Sequence, residues 1–309
     1  MHVPDWDCKD INHSDKKKIY FKKYYLYLSI MQMRRKKNIQ HKRITVGDIG
    51  ISYLKKSGSR EMEHPIIFIH GFPFNKNMWL KQLEALPEDQ TGIAIDVRGH
   101  GNSTMGHGFF SIDLFARDLL EFMRKKEIKK AVLCGVSMGG YIALRAHELD
   151  PDKFSALILS DTNSISDNNE AKVKRFETIK SVLKHGNRTF ALNFVKKVFS
   201  EHSIQNNPDD VEMIKSSIRR NNVRSICATL LALASRTDTT EHLKNIQIPT
   251  LLIWGAEDQV TPKSQADILM EHIPGAQMVT FEKCGHLPSL EDSDRFNQVI
   301  ASFIAALDH

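Results

Sequence analysis

The chain has 309 residues, 41% hydrophobic and 26% charged, a globular balance with enough apolar material for one large α/β domain or two of medium size. No apolar run approaches the ~20 residues that span a bilayer, and the longest, Tyr24 to Met33, has basic flanks and no small-residue cleavage site, so it reads poorly as a signal peptide and a cytoplasmic location is expected. The net charge of +6 is uneven: residues 1–43 hold 12 Lys/Arg against 4 Asp/Glu, so the pI of 9.0 belongs to that segment and gives the rest no nucleic-acid-binding character.

Residues 1–37 read as a basic N-terminal tail, expected to be disordered. Lys16-Lys17-Lys18, Lys22-Lys23 and Arg34-Arg35-Lys36-Lys37 alternate with Tyr20, Phe21, Tyr24, Tyr25 and Tyr27. A basic-aromatic arm for nucleic acid or anionic membrane is the competing reading. Charge runs are more often simply solvated, which favours the tail.

From residue 39 the punctuation becomes regular. Ile44 to Val46 and Ile49 to Leu54 flank Gly47-Asp48 and predict a hairpin. Ile66 to Ile69 is a continuous apolar run, the mark of a strand buried on both faces. Similar runs follow at Gly92 to Ile95, Ala131 to Cys134, Ala156 to Leu159 and Thr250 to Ile253, with a weaker one at Met278 to Phe281. Between them, residues 111–126 place Ile112, Phe115, Leu119, Phe122 and Met123 at helical spacing behind the N-cap candidate Ser111. Residues 138–148 and 292–307 also read as helices. Strand alternating with helix predicts a mostly parallel sheet covered on both faces.

Residues 164–245 interrupt the alternation, with helical patterns at Ala171 to Leu183, Thr189 to Phe199 and Val211 to Ile218 and no strand-like run. So long a connection is not a simple crossover, and it predicts a helical lid over the strand ends. The resulting division is a core first part over 38–163, the lid over 164–245 and a core second part over 246–309. Cys8, Cys134, Cys227 and Cys284 show neither close pairing nor metal-ligand spacing, so no disulfide framework and no metal site are expected.

The chemistry concentrates at Gly135-Val136-Ser137-Met138-Gly139, which follows an apolar strand and precedes a helical run. A nucleophile on so sharp a turn needs small neighbours, and the following helix points its N-terminus at developing negative charge. Of fourteen histidines, His286 stands out: Gly285 precedes it, in a loop after the last strand, where the carboxyl edge of the sheet should present it. His70 and His100 sit in Gly-containing turns and read as loop-bracing residues. For the acid, Asp258 after Leu252-Ile253-Trp254-Gly255 is preferred to Asp161 after Leu157 to Ser160. Asp161 reads as a cap at the lid entry, and the adjacent Glu257 is a lesser rival.

From about residue 40 to 309 the chain resembles the α/β-hydrolase superfamily, and most of all its small lidded esterases, 3-oxoadipate enol-lactonases and cofactor-free haloperoxidase-like members. Five segments carry the resemblance in the family's order: His70-Gly71-Phe72-Pro73, Asp96 to Ser103, Gly135 to Gly140, Trp254 to Asp258, and Gly285-His286-Leu287-Pro288. It implies an α/β-hydrolase fold with an eight-stranded, mostly parallel sheet, flanking helices and an inserted lid. It also implies a triad of Ser137, Asp258 and His286, and an oxyanion hole made by the backbone N–H groups of Phe72 and Met138. Residues 1–37 have no counterpart in it.

The expected reaction is cleavage of a small or medium carboxylic ester or lactone through an acyl-enzyme, with no cofactor and no metal. Phe74, Trp79, Phe190, Phe194 and Leu287 are the candidate substrate-binding residues, each with core packing as its rival. Two alternatives stay open: carbon–carbon bond hydrolysis of a β-diketone by the same triad, and a ligand-sensing protein that keeps the fold. Dehalogenation and epoxide opening fit poorly, because those family members use aspartate where Ser137 stands.

Overall fold

The computed structural model describes residues 38–59 and 64–308. The predicted tail over residues 1–37 lies outside the described residues. Eight strands form one sheet: β1 (Ile39–Val46), β2 (Ile49–Lys56), β3 (Ile66–Ile69), β4 (Gly92–Ile95), β5 (Ala131–Val136), β6 (Phe154–Ser160), β7 (Thr250–Gly255) and β8 (Gln277–Phe281). Their spatial order is β1-β2-β4-β3-β5-β6-β7-β8. β2 runs antiparallel to β4, and every pairing from β4 to β8 is parallel. The predicted hairpin is β1–β2, and β1 begins five residues earlier than its apolar run, because the edge-strand residues Gln40 to Arg43 are exposed and show no hydrophobic signal.

The central strands are buried along their whole length, as their unbroken apolar sequences require. Full burial of an Ile or Phe side chain in such a strand is worth about 1.5–3 kcal/mol. The helix α1 (Leu80–Ala85) precedes β4. The amphipathic helix α2 (Ile112–Lys125) buries Phe115, Leu119 and Phe122, and Ser111 caps it by accepting the Leu114 N–H at 3.0 Å. Next comes α3 (Met138–Leu149), buried along nearly its whole length behind β5.

Only helices lie between β6 and β7. They are α4 (Asn169–Val198), α5 (Glu201–Asn206), α6 (Pro208–Arg220), α7 (Val223–Ala234) and a 3₁₀ turn over Thr240–Asn245. The two helical patterns predicted around residue 186 are the two halves of α4, which breaks at Gly186 (φ 76°, ψ 170°). After β7 come α8 (Lys263–His272), then the short α9 (Pro288–Glu291) and the closing helix α10 (Ser293–Ala305).

Register decides where chemistry is possible. Val136 pairs with Ser160, Ser160 with Ile253 and Ile253 with Val279, a row across β5 to β8. Ser137, Asp161, Asp258 and His286 all follow that row, at the carboxyl edge of the sheet. Among the described residues no helix is long and apolar enough to cross a membrane.

Candidate active site

Ser137 stands between the last residue of β5 and the first of α3, with φ 53° and ψ −118°. A non-glycine residue with positive φ carries strain that only a tightly determined surrounding sustains. Here the backbone is held on both sides: Ser137 N–H donates to Ser160 O at 2.9 Å, and its carbonyl accepts the Thr162 hydroxyl at 2.7 Å and the Gly140 N–H at 2.9 Å. The flanking glycines answer to space. A Cβ on Gly135 would lie 2.4 Å from Gly139 O, and one on Gly139 2.2 Å from Ile69 O.

Gly71 brings the His70–Pro73 loop against the serine, since a Cβ there would meet Ser137 Cβ and Val136 O, each at 3.2 Å. His70 and His100 hold this corner together, as expected. His70 Nδ1–H donates to Gly71 O at 2.8 Å while its Nε2 accepts the Val97 N–H at 3.0 Å, so the ring is neutral. Burial pushes the His70 pKa down to about 4. His100 goes to about 3 through burial and the neighbouring His70. Beneath the loop the buried Lys76 ammonium pairs with Asp96 at 2.5 Å, and Asp96 also accepts the Lys76 and Asn102 N–H groups, each at 2.8 Å. The N–H groups of Phe72 and Met138 have no hydrogen-bond partner among the described residues.

On the other side, His286 Nδ1 lies 2.8 Å from Asp258 Oδ2, and both side chains are sealed from solvent. Burial raises the Asp258 pKa, but the His286 charge and the hydrogen bonds from His286, the Val260 amide and Thr261 outweigh it and hold the carboxyl below its ordinary value. An ionised Asp258 accepts, so Nδ1 carries the proton and Nε2 is left with its lone pair. The structure makes the Asp258–His286 bond and does not form a hydrogen bond between Ser137 Oγ and His286. Such bonds commonly tighten only with substrate in place.

Asp161 differs from its sequence-based reading. It does not cap the entry to the helical segment, a place taken by Asn168, whose side chain accepts the Ala171 N–H at 2.9 Å. Asp161 is fully buried and braces β6 to β7, accepting the Gly255 N–H at 2.8 Å and the Ser160 hydroxyl at 2.6 Å. Burial first, and the charge of Asp258 second, push its carboxyl well above the usual range. The two acids at the ends of adjacent strands are thus set apart: Asp258 is held ionised and Asp161 is driven towards its neutral form.

Two further residues complete the corner, and sequence reasoning missed both. The Thr261 hydroxyl donates to Asp258 Oδ2 at 2.7 Å and stands 3.2 Å from His286 Nδ1. Glu291 accepts the Leu287 N–H at 3.0 Å and the Ser200 N–H at 2.8 Å, tying the residue after His286 to the end of α4. His286 N–H itself donates to Val198 O at 2.9 Å. The only hint in sequence is position: Thr261 lies in the loop after β7, and Glu291 one helical turn beyond Leu287.

Ligand atoms of Asp161, Asp258 and His286 lie within 4.8 Å of one another, close enough for a metal. All four carboxylate oxygens, however, already accept hydrogen bonds from protein donors. The cluster is built as a hydrogen-bonded relay and not as an open ligand set.

A cavity of about 700 Å³ opens over Ser137, between the sheet edge and the helical segment. Phe72, Met138, Phe190 and Phe194 line it, and the rings of Phe190 and Phe194 pack tilted against each other with centroids 5.2 Å apart. Phe74, Trp79 and Leu287 do not reach it. All three are fully buried, Trp79 against Phe68 and Phe74 behind Phe194.

Residues 64–293 match the family model of the α/β hydrolase fold, well over half of the chain. The chain belongs to the α/β-hydrolase family. This hydrolase is 26% identical over 258 residues to 3-oxoadipate enol-lactonase 2 of Acinetobacter baylyi, covering 83% of this chain and 94% of that protein. It is 30% identical to a non-heme chloroperoxidase of Kitasatospora aureofaciens, over 78% of this chain and 92% of the other. Among solved structures it resembles a thermophilic esterase from Thermogutta terrifontis, with TM-score 0.81, 29% identity, and 87% and 99% of the two chains covered.

Proposed function

We propose that this hydrolase cleaves a small or medium carboxylic ester or lactone through an acyl-enzyme, with Ser137 as nucleophile, His286 as base and Asp258 as the acid that orients it. The observation that carries the reading is the sealed Asp258–His286 hydrogen bond, which fixes the tautomer whose Nε2 can take a proton from a serine. The strained turn at Ser137, at the head of α3 and on the floor of the cavity, supports it.

In this mechanism His286 Nε2 removes the Ser137 proton as Oγ attacks the ester carbon. The amides of Phe72 and Met138 then receive the oxyanion, each donor typically worth ~3–4 kcal/mol in the transition state. The imidazolium formed is stabilised by Asp258 and gives its proton to the leaving alcohol. Water, deprotonated by the same histidine, releases the acid. Thr261 holds Asp258 in place, and the α4–α7 segment serves as the lid. The esterase and enol-lactonase relatives support an ester or lactone bond as the target.

The test is hydrolysis of p-nitrophenyl acetate through octanoate by the wild type and Ser137→Ala, purified in parallel. Turnover by the wild type that falls by at least ~10³-fold in the variant is expected. Undiminished turnover by Ser137→Ala would sink the assignment.

A further inference from the structure

The cavity over Ser137 is charged in a way that a plain ester does not require. Its lining holds one acid and four bases: Asp167, Lys174, Arg175, Lys197 and Arg236. Asp167 is shared by both guanidiniums, with Arg175 Nε at 2.5 Å and Arg236 Nη1 on the other oxygen. Burial raises the Asp167 carboxyl, and the two arginines overcome this and hold it below its ordinary value, so it stays ionised. Arg236 is saturated: it also donates to Ile165 O and lies over the Tyr141 ring, 4.5 Å from the centroid. Arg175 keeps Nη1 without a bond among the described residues. Lys174 and Lys197 are exposed, and their ammonium groups have no partner among the described residues.

The lining therefore carries a surplus of three positive charges. Lys174 and Arg175 come from the first half of α4 and Lys197 from the second, so the break at Gly186 lets both halves turn cations towards one cavity. The whole helix bears eight Lys/Arg and two Glu, and its field adds to theirs. Near Ser137 the lining is apolar, with Phe72 and Met138 on the sheet side and Phe190 and Phe194 of α4 facing them. Solubility would account for lysines anywhere on α4, but not for the lone acid of the cavity being consumed by two arginines while two lysines and one nitrogen of Arg175 stay open.

We propose that the substrate is an ester or lactone carrying a carboxylate at the end away from the reacting carbon, held by Lys174, Arg175 and Lys197. This rests on the serine-hydrolase reading for the reaction, though not for the binding. Hydrolysis of such a half-ester adds one water across the C–O bond and yields a dicarboxylate, an alcohol and a proton.

The experiment measures binding of monomethyl glutarate and dimethyl glutarate to Ser137→Ala by calorimetry at low salt. The half-ester should bind about fivefold tighter than the diester. That preference should shrink in 0.5 M NaCl, roughly threefold above the ionic strength at which screening already reaches ~8 Å. It should shrink at least twofold when Lys174→Ala and Lys197→Ala are added, with Arg175 left in place. Equal affinities, a preference for the diester, a preference undiminished by both lysine substitutions, or no detectable heat with either ester would overturn the anion site. Turnover of p-nitrophenyl acetate by the wild type tests the hydrolase reading separately. An active wild type whose Ser137→Ala form shows no preference loses only the anion site, whereas an inert wild type whose Ser137→Ala form prefers the half-ester loses only the reaction.

Discussion

The turn around Ser137 and the helical segment between β6 and β7 face the same cavity and are built on opposite rules. Around Ser137 every position is filled: the glycines abut backbone, the histidines brace loops, and the Lys76–Asp96 pair is sealed beneath. In α4 the packing is sparse. Val173, Phe176, Leu183 and Leu192 are exposed, and a Cβ on Gly186 would find open space. The contrast fits the proposed reading: a reaction centre has to hold its groups within a fraction of an ångström, whereas a cover over it has to accommodate and release ligands.

Substitutions can break that contrast. The largest effect should come from Asp258→Asn, which keeps the shape of the site but, on the proposed mechanism, costs His286 the tautomer it needs. A loss of about 10⁴ in kcat on a p-nitrophenyl ester is expected, with the melting temperature little changed. Gly139→Ala should follow, on stability: its Cβ would sit 2.2 Å from a backbone oxygen that has nowhere to move, so a loss of ~3–5 kcal/mol is expected in urea unfolding. Gly186→Ala meets no neighbour and pays only in dihedral strain, about 1–3 kcal/mol by the same measurement. Leu183→Gln, 65% exposed, should shift stability by no more than about 0.5 kcal/mol. A cost of several kcal/mol there would show that α4 is covered in solution.

Acid tests the densely packed side of the comparison. His70 and His147 have pKa values lowered to about 4, and His100 to about 3, all chiefly by burial. Below pH 6.5 the unfolded chain binds protons on these rings while the native state does not. Stability therefore falls as pH drops from 6.5 towards 4, by up to about 1.4 kcal/mol per pH unit for each histidine. Thermal melts across that range check it, and a flat profile would contradict burial of the three rings in neutral form.

Much of the sheet side was legible in sequence because its signals are local. A buried strand is written as an apolar run, and the turn at Ser137 as glycines flanking a serine. Asp258 and His286 could be placed because each follows a strand that the pattern marks. What sequence could not carry was convergence of side chains from distant segments. Thr261 matters through Asp258 and His286, and Glu291 through Ser200 and Leu287; none of these contacts leaves a periodic trace. Phe74, Trp79 and Leu287 were misplaced for a related reason: neighbours of site residues in the chain, they point into the core. Asp161 stood at the right strand end for a cap, yet its positive φ turns it into the sheet.

The clasp at Glu291 limits how freely the helices over the cavity could be exchanged with those of a relative. One carboxylate holds the end of α4 and the residue after His286, while His286 N–H is bonded to Val198 O. Gly285 leaves no room for a side chain against the Ser200 amide. A transplanted segment that ended in a different conformation near residues 198–200 would release the histidine loop along with the cover. In a chimera the graft junction would therefore have to lie beyond Ser200, inside the part of the chain that looks most interchangeable.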